Sequence, residues 1–223
     1  MAKRKLFKYA QLLNFENVFL PINRQDAGDF HMKGKWNESC FCNNYPIVLE
    51  LGCGKGEYTN ALAEMFPDRN YIGIDFKGDR LYAASKTASE KCLKNVAFIR
   101  NQIQFIERFF VKDEVDEIWI TFPDPQLQKP KHHKRLTSVD FLNRYKNIAK
   151  TGAMVHLKTD NIPFFEYTVC LLHDLQQEIE YISRDIHSDA PDDPLIAIKT
   201  YYEQLFRAKG AKINYLRFKL NLK

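Results

Sequence analysis

The sequence predicts an α/β fold in which a mainly parallel sheet carries helices on both faces. Two observations predict the class. From residue 47 onward, short β-branched or apolar runs alternate with stretches of helical spacing. A glycine-rich turn, "LELGCGKG", falls where the first of those runs gives way to the first helical stretch. In such folds, ligands sit beyond the carboxyl ends of the strands.

The elements follow in order. "IVLEL" (47–51), "NYIGID" (70–75), "NVAFIR" (95–100), "DEIWITF" (116–122) and "AMVHLKT" (153–159) read as strands. Between them, "EYTNALAEMF", "GDRLYAASKTASEKCL", "IQFIERFF" and "SVDFLNRYKNIA" carry apolar residues at helical spacing. "NIPFFEYTVCLLHDLQQEI" (161–179) reads as a helix, with Pro163 tolerated in its first turn, and "TYYEQLF" as a shorter one. "KINYLRFKL" (212–220) alternates like a final strand of an antiparallel hairpin. Residues 1–45 show no strong period and are expected to form an irregular basic arm, leaving 46–223 as one domain.

The 223 residues, 45% of them hydrophobic, suffice for one domain with a substantial core. No run approaches the roughly 18 apolar residues of a membrane span, and the start "MAKRKLFKYAQLLNF" lacks the features of a secretory signal. A cytoplasmic protein is expected. Cys40, Cys42, Cys53, Cys92 and Cys170 are odd in number and show no CxxC spacing, so neither a disulfide framework nor a metal site is indicated.

The net charge of +5 is unevenly spread. Residues 1–40 carry seven Lys/Arg against four acids, 129–146 six against one, and 199–223 seven against one. Three basic segments distant in sequence can converge into one face for a polyanion such as a nucleic acid, or remain three separately solvated surfaces.

Gly52, Gly54 and Gly56 stand directly after a strand and before a helix, where absent side chains let backbone approach a ligand. Their GxGxG spacing differs from the GxGxxG of dinucleotide sites, and an acid, Glu50, sits at the end of the strand. A carboxylate there repels a pyrophosphate but suits a ligand with an ammonium and a sulfonium centre, as in S-adenosyl-L-methionine. Asp75 ends the next strand, 19 positions after Gly56, where an acid can accept both hydroxyls of a ribose or merely cap the following helix.

"FPDPQLQKPKHHKR" (122–135) begins as the fourth strand runs into a turn at the same edge. Asp124, between two prolines, is held on a restricted backbone close to the expected methyl donor. Methylating a ring nitrogen with a free lone pair needs alignment and tolerance of the charge gained, not a base. His132 and His133 are therefore expected to contact RNA or solvent, and His156 to pack within its strand.

Taken together, "KGKW", "LELGCGKG", "YIGID", "FPDP", the basic run, "HLKTDN" and "TYYEQLF" resemble the tRNA (guanine-N(7)-)-methyltransferases of the bacterial TrmB type, over nearly the whole chain. The resemblance implies a Rossmann-like class I methyltransferase fold with a seven-stranded, mainly parallel sheet and an antiparallel C-terminal strand. It also implies that Glu50, Asp75 and Asp124 contact S-adenosyl-L-methionine and that Asp124 is the catalytic carboxylate. Asp160, Thr200 and Glu203 match positions that hold the tRNA guanosine. Lys129, Lys131, Lys134 and Arg135 are expected to contact its phosphates.

The chain departs from the family pattern at three positions. Gln102 stands where an acid near the adenine is usual, Gln126 replaces an aromatic residue, and Gln128 replaces a lysine, with Lys129 next to it as a substitute. The expected activity is methylation of nitrogen 7 of a variable-loop guanosine in tRNA by a monomer or homodimer. Two alternatives remain: methylation of an exocyclic amine, whose enzymes carry a (D/N)PP(aromatic) turn that "FPDPQ" matches loosely, and an RNA-binding subunit with degraded catalysis.

Overall fold

Nearly every position of the central strands is buried, because helices cover both faces of the sheet and leave no solvent side for polar alternation. The computed structural model describes residues 2–21 and 28–221. In chain order they form α1 (Ala2–Gln11), β1 (Val18–Phe19), β2 (Ile47–Leu51), α2 (Glu57–Met65), β3 (Asn70–Asp75) and α3 (Gly78–Glu90). Then come β4 (Val96–Arg100), β5 (Val115–Thr121), α4 (Val139–Lys146), β6 (Ala149–Thr159) and α5 (Ile162–Asp174). The chain closes with β7 (Ile179–Ser183), the short helices α6 (Ile186–Asp189) and α7 (Pro194–Ala197), α8 (Tyr201–Ala208) and β8 (Asn214–Lys219).

Among the described residues the sheet has eight strands, not the seven expected, because β1 adds to the β4 edge; the order is β1-β4-β3-β2-β5-β6-β8-β7. β8 runs antiparallel to β6 and β7, and the other pairs are parallel. The order reverses between β2 and β5, so a crevice opens past their carboxyl ends. Alternate residues of one strand feed opposite layers: Leu49 and Leu51 join the cluster with α4 and α5, while Val48 joins the one with α2 and α3.

The arm expected to be irregular is built into the fold instead. Leu12, just after α1, is fully buried against the α3 layer, and β1 adds to the sheet edge through Val18 opposite Phe98. Trp36 is fully buried, donates through Nε1 to the Phe109 carbonyl at 2.8 Å, and stacks on Phe110. Scattered aromatic anchors such as Phe19, Phe30 and Trp36 bury without a period, so a search for periodicity misses them. Residues 22–27 of the expected arm lie outside the described residues.

Two other expectations are corrected. The helix expected to reach residue 179 ends at Asp174, and Ile179–Ser183 pairs with β8 as an edge strand. The turn uses Gln176 in a left-handed conformation (φ 51°), with the Gln177 amide bonded to the Leu172 carbonyl at 2.9 Å. A glycine usually marks such an ending, and none stands here. The segment 103–110 forms tight 3₁₀ turns over Ile103–Arg108, broken at Phe105, rather than an α-helix.

Candidate active site

β2 ends in a turn whose three glycines all have positive φ. At Gly52 (φ 80°) a Cβ would meet no atom within 4 Å, because that face opens into the cleft where a ligand needs the space. At Gly56 (φ 66°) the need is internal: a Cβ would lie 2.6 Å from that of Ala84 on α3. Gly56→Ala is therefore expected to destabilise the protein by about 1–3 kcal/mol, measured by denaturant unfolding.

Glu50 lies behind this turn with 4% of its surface exposed. Its Oε2 accepts from the Thr59 amide at 2.8 Å and from the Thr59 hydroxyl, and its Oε1 accepts from Thr121 Oγ1 at 2.7 Å. Burial outweighs these bonds and pushes the carboxyl up to about 7. A nearby cation would relieve that penalty. Asp75 is buried at the end of β3 and braces the turn, accepting from the amides of Gly54 (2.9 Å) and Lys77 (2.7 Å).

Glu50, Gly52 and Gly54 line one cleft together with Phe122, Thr200 and Tyr202. The donor set suits S-adenosylmethionine: an open glycine turn, a carboxyl made costly by burial, and an acid at the end of the neighbouring strand. Gln102 follows β4, next along the sheet edge, half-buried and accepting from Gln104 Nε2 at 3.0 Å. Glu57 at the start of α2 accepts from the Tyr201 amide at 3.0 Å, joining the glycine side of the cleft to α8.

Asp124 is exposed in the loop that leaves β5. Phe122 (φ 48°) and Gln126 (φ 46°) flank it in the left-handed region, which costs a non-glycine residue about 1–3 kcal/mol. Surrounding contacts hold the loop. The Phe122 amide donates to the Lys158 carbonyl on the adjacent β6 at 2.8 Å, and Arg135 Nε donates to the Pro125 carbonyl at 3.1 Å.

In the basic run Gln128, Lys131 and Lys134 are exposed, whereas the side chain of Lys129 lies outside the described residues. Arg135 corrects an expectation. Only 4% of it is exposed, and its guanidinium lies 4.1 Å from the centre of the Tyr167 ring, so it packs against α5 instead of standing out from the surface as a phosphate contact was expected to. His156 is buried as expected, stacked on Trp119 at 3.9 Å.

Asp160 follows β6, half-buried, and burial raises its carboxyl above the usual range. Thr200 lines the cleft and caps α8, accepting from the Glu203 amide at 3.2 Å. Glu203 is the second correction. It is fully buried, with Oε2 3.0 Å from Lys158 Nζ and Oε1 2.7 Å from His187 Nε2, so both oxygens are engaged inside the protein. The pairing anchors α8, which presents the exposed Tyr201 and Tyr202 at the cleft.

Sequence reasoning did not single out Thr59, Thr121 or Lys158. A lysine inside the apolar run "AMVHLKT" is a legible anomaly, since buried lysines need a partner. The threonines carry no such signal.

A family model described as "Putative methyltransferase" matches residues 44–216. A tRNA (guanine-N(7)-)-methyltransferase of Christiangramia forsetii is 49% identical over 223 residues, covering 98% of this chain and 99% of the relative. One of Bacteroides thetaiotaomicron is 46% identical over 222 residues, covering 99% and 87%. Among solved structures, the 16S rRNA methyltransferase KamB superposes with a TM-score of 0.61 at 14% identity, covering 79% of this chain and 89% of that one, a likeness of fold. The chain belongs to the tRNA (guanine-N(7)-)-methyltransferase family.

Proposed function

We propose that the protein methylates nitrogen 7 of the variable-loop guanosine of tRNA, with S-adenosylmethionine as methyl donor. The observation that carries the reading is that 49% identity to a relative of that name spans 98% of the chain, cleft and exposed carboxylate included. When bound, S-adenosylmethionine supplies a methyl group on a positively charged sulfur. Glu50 balances the ammonium of the donor's methionine end, the glycine turn admits its chain, and Asp75 accepts from the ribose hydroxyls. Gln102 adds a neutral hydrogen-bonding group toward the adenine.

Asp124 and Asp160 follow adjacent parallel strands, so both carboxylates stand at one edge of the sheet. A carboxylate accepts from a guanine's ring N–H and exocyclic amine, a donor pair adenine lacks, and this turns nitrogen 7 on the opposite edge toward the donor. No side chain has to remove a proton. Asp124 also offsets the positive charge the ring gains. Gln128, Lys129, Lys131 and Lys134 engage the RNA backbone, and Thr200 closes the guanosine site. Among the described residues no helix is long and apolar enough to cross a membrane. The reading implies a cytoplasmic enzyme acting as a monomer or homodimer.

The test is to incubate the protein with tRNA lacking this mark and methyl-labelled donor, then map the product. Label at nitrogen 7 of the variable-loop guanosine is expected. Label on another base, or none, overturns the reading.

Glu50 also sets a pH dependence. Its folded-state value of about 7 lies above the ordinary 4.5, so the stability it contributes is present below 4.5 and lost as pH rises through 7. The donor's ammonium requires the ionised form. Donor affinity is therefore expected to rise about tenfold per pH unit up to about 7 and then level off. Calorimetric titration in buffers of different ionisation enthalpy should detect proton release below pH 7 and none well above it.

A further inference from the structure

The geometry points to Arg135 as a positioning residue for Asp124, acting through the Pro125 carbonyl; this inference rests on the reading of Asp124 as the catalytic carboxylate. The loop carrying Asp124 is held at both ends. At its start the Phe122 amide bonds to the Lys158 carbonyl, and beyond Asp124 the Pro125 carbonyl accepts from Arg135 Nε at 3.1 Å. Pro125 has no amide hydrogen to offer, and Gln126, next in line, is left-handed, so the loop supplies few bonds of its own there.

Arg135 is itself fixed. Its guanidinium packs 4.1 Å from the Tyr167 ring centre and 6.0 Å from that of Phe164, both on α5. Among the described residues no carboxylate forms a salt bridge with it. A largely buried guanidinium held by one carbonyl and two rings adds little stability, since desolvation offsets what the contacts gain. What it adds is geometry: α5, which begins right after Asp160 and Asn161, is tied to the loop of Asp124. One arginine thus sets the separation of the two segments that carry the carboxylates.

The experiment compares Arg135→Ala, Arg135→Lys and Tyr167→Leu with Asp124→Ala, using single-turnover rates and equilibrium binding of donor and tRNA. Arg135→Ala is expected to slow the single-turnover rate about 10- to 100-fold, the scale of a misplaced reacting group. Donor affinity, tRNA affinity and the salt dependence of tRNA binding are expected to stay unchanged. Tyr167→Leu should slow the rate in the same direction by less, and Arg135→Lys should recover part of it.

An Arg135→Ala protein that keeps its rate but binds tRNA more weakly, with a salt slope shallower by about one, would make Arg135 a phosphate contact and overturn the inference. Loss of donor binding along with the rate would overturn it too, by showing collapse of the whole cleft. Should Arg135→Ala fail to fold, Tyr167→Leu decides, and an unchanged rate there is fatal. Turnover within threefold of the parent in Asp124→Ala would remove the reading beneath the inference. An Asp124→Ala slowed about 10²-fold or more beside a fully active Arg135→Ala removes the inference alone.

Discussion

Asp124→Ala is expected to lower kcat by roughly 10²–10³-fold, the cost of removing one fixed group that stabilises developing charge. The loss should not reflect unfolding. Asp124 is exposed, and surface substitutions of this kind change stability by about 0.5 kcal/mol or less. Denaturant midpoints of parent and variant should therefore nearly coincide. Asp124→Asn separates two contributions: the amide keeps an acceptor oxygen but loses the charge, so a rate between those of parent and alanine variant is expected. Turnover within threefold of the parent in Asp124→Ala would take this carboxylate out of the reaction.

The second large effect is on stability. Lys158 and Glu203 are both fully buried, with a 3.0 Å contact between them. Removing one partner leaves the other charge in the interior without compensation, so Glu203→Ala is expected to cost about 3–5 kcal/mol. The double change Lys158→Met with Glu203→Leu should recover most of that, because neither charge is then buried. Its activity should stay low, since α8 loses the pairing that sets Tyr201 and Tyr202 against the cleft.

The pH dependence of the single variant gives a second readout. Burial lowers the Lys158 ammonium below the ordinary 10.5, and Glu203 opposes that shift. Without Glu203 the folded-state value falls further, and the unfolded chain binds more protons between the two values. Stability of Glu203→Ala should therefore rise with pH toward 10.5, and its deficit against the parent should narrow. Urea unfolding from pH 7 to 10 measures this. A constant deficit would mean that Lys158 is not the group left uncompensated.

Strand placement was legible because tertiary packing here reinforces local pattern. "IVLEL" and "NYIGID" are the observed β2 and β3 to the residue. Alternating helices force parallel pairing, and parallel pairing brings strand ends together, so the sequence assigns Glu50, Asp75 and Asp124 to one edge. β1 and β7 were not legible. β1 is two residues long, and β7 is an edge strand introduced by a left-handed glutamine where glycine is the usual signal.

Charge was the least reliable guide at the level of single residues. Lys134 and Arg135 are neighbours of the same sign, yet one is exposed and the other faces Tyr167. Glu203 and Asp160 both matched guanosine contacts, yet Glu203 is sealed against Lys158 and His187. The sequence by itself determined the alternation of the central strands β2 to β6 with helices, the parallel sheet and the edge at which the acids gather, since these follow from periodicity and from glycine and proline stereochemistry. Only the tertiary structure decided which charges meet solvent and which pair inside. Burial of a charge depends on partners distant in the chain, and no local pattern encodes 45 residues of separation between Lys158 and Glu203.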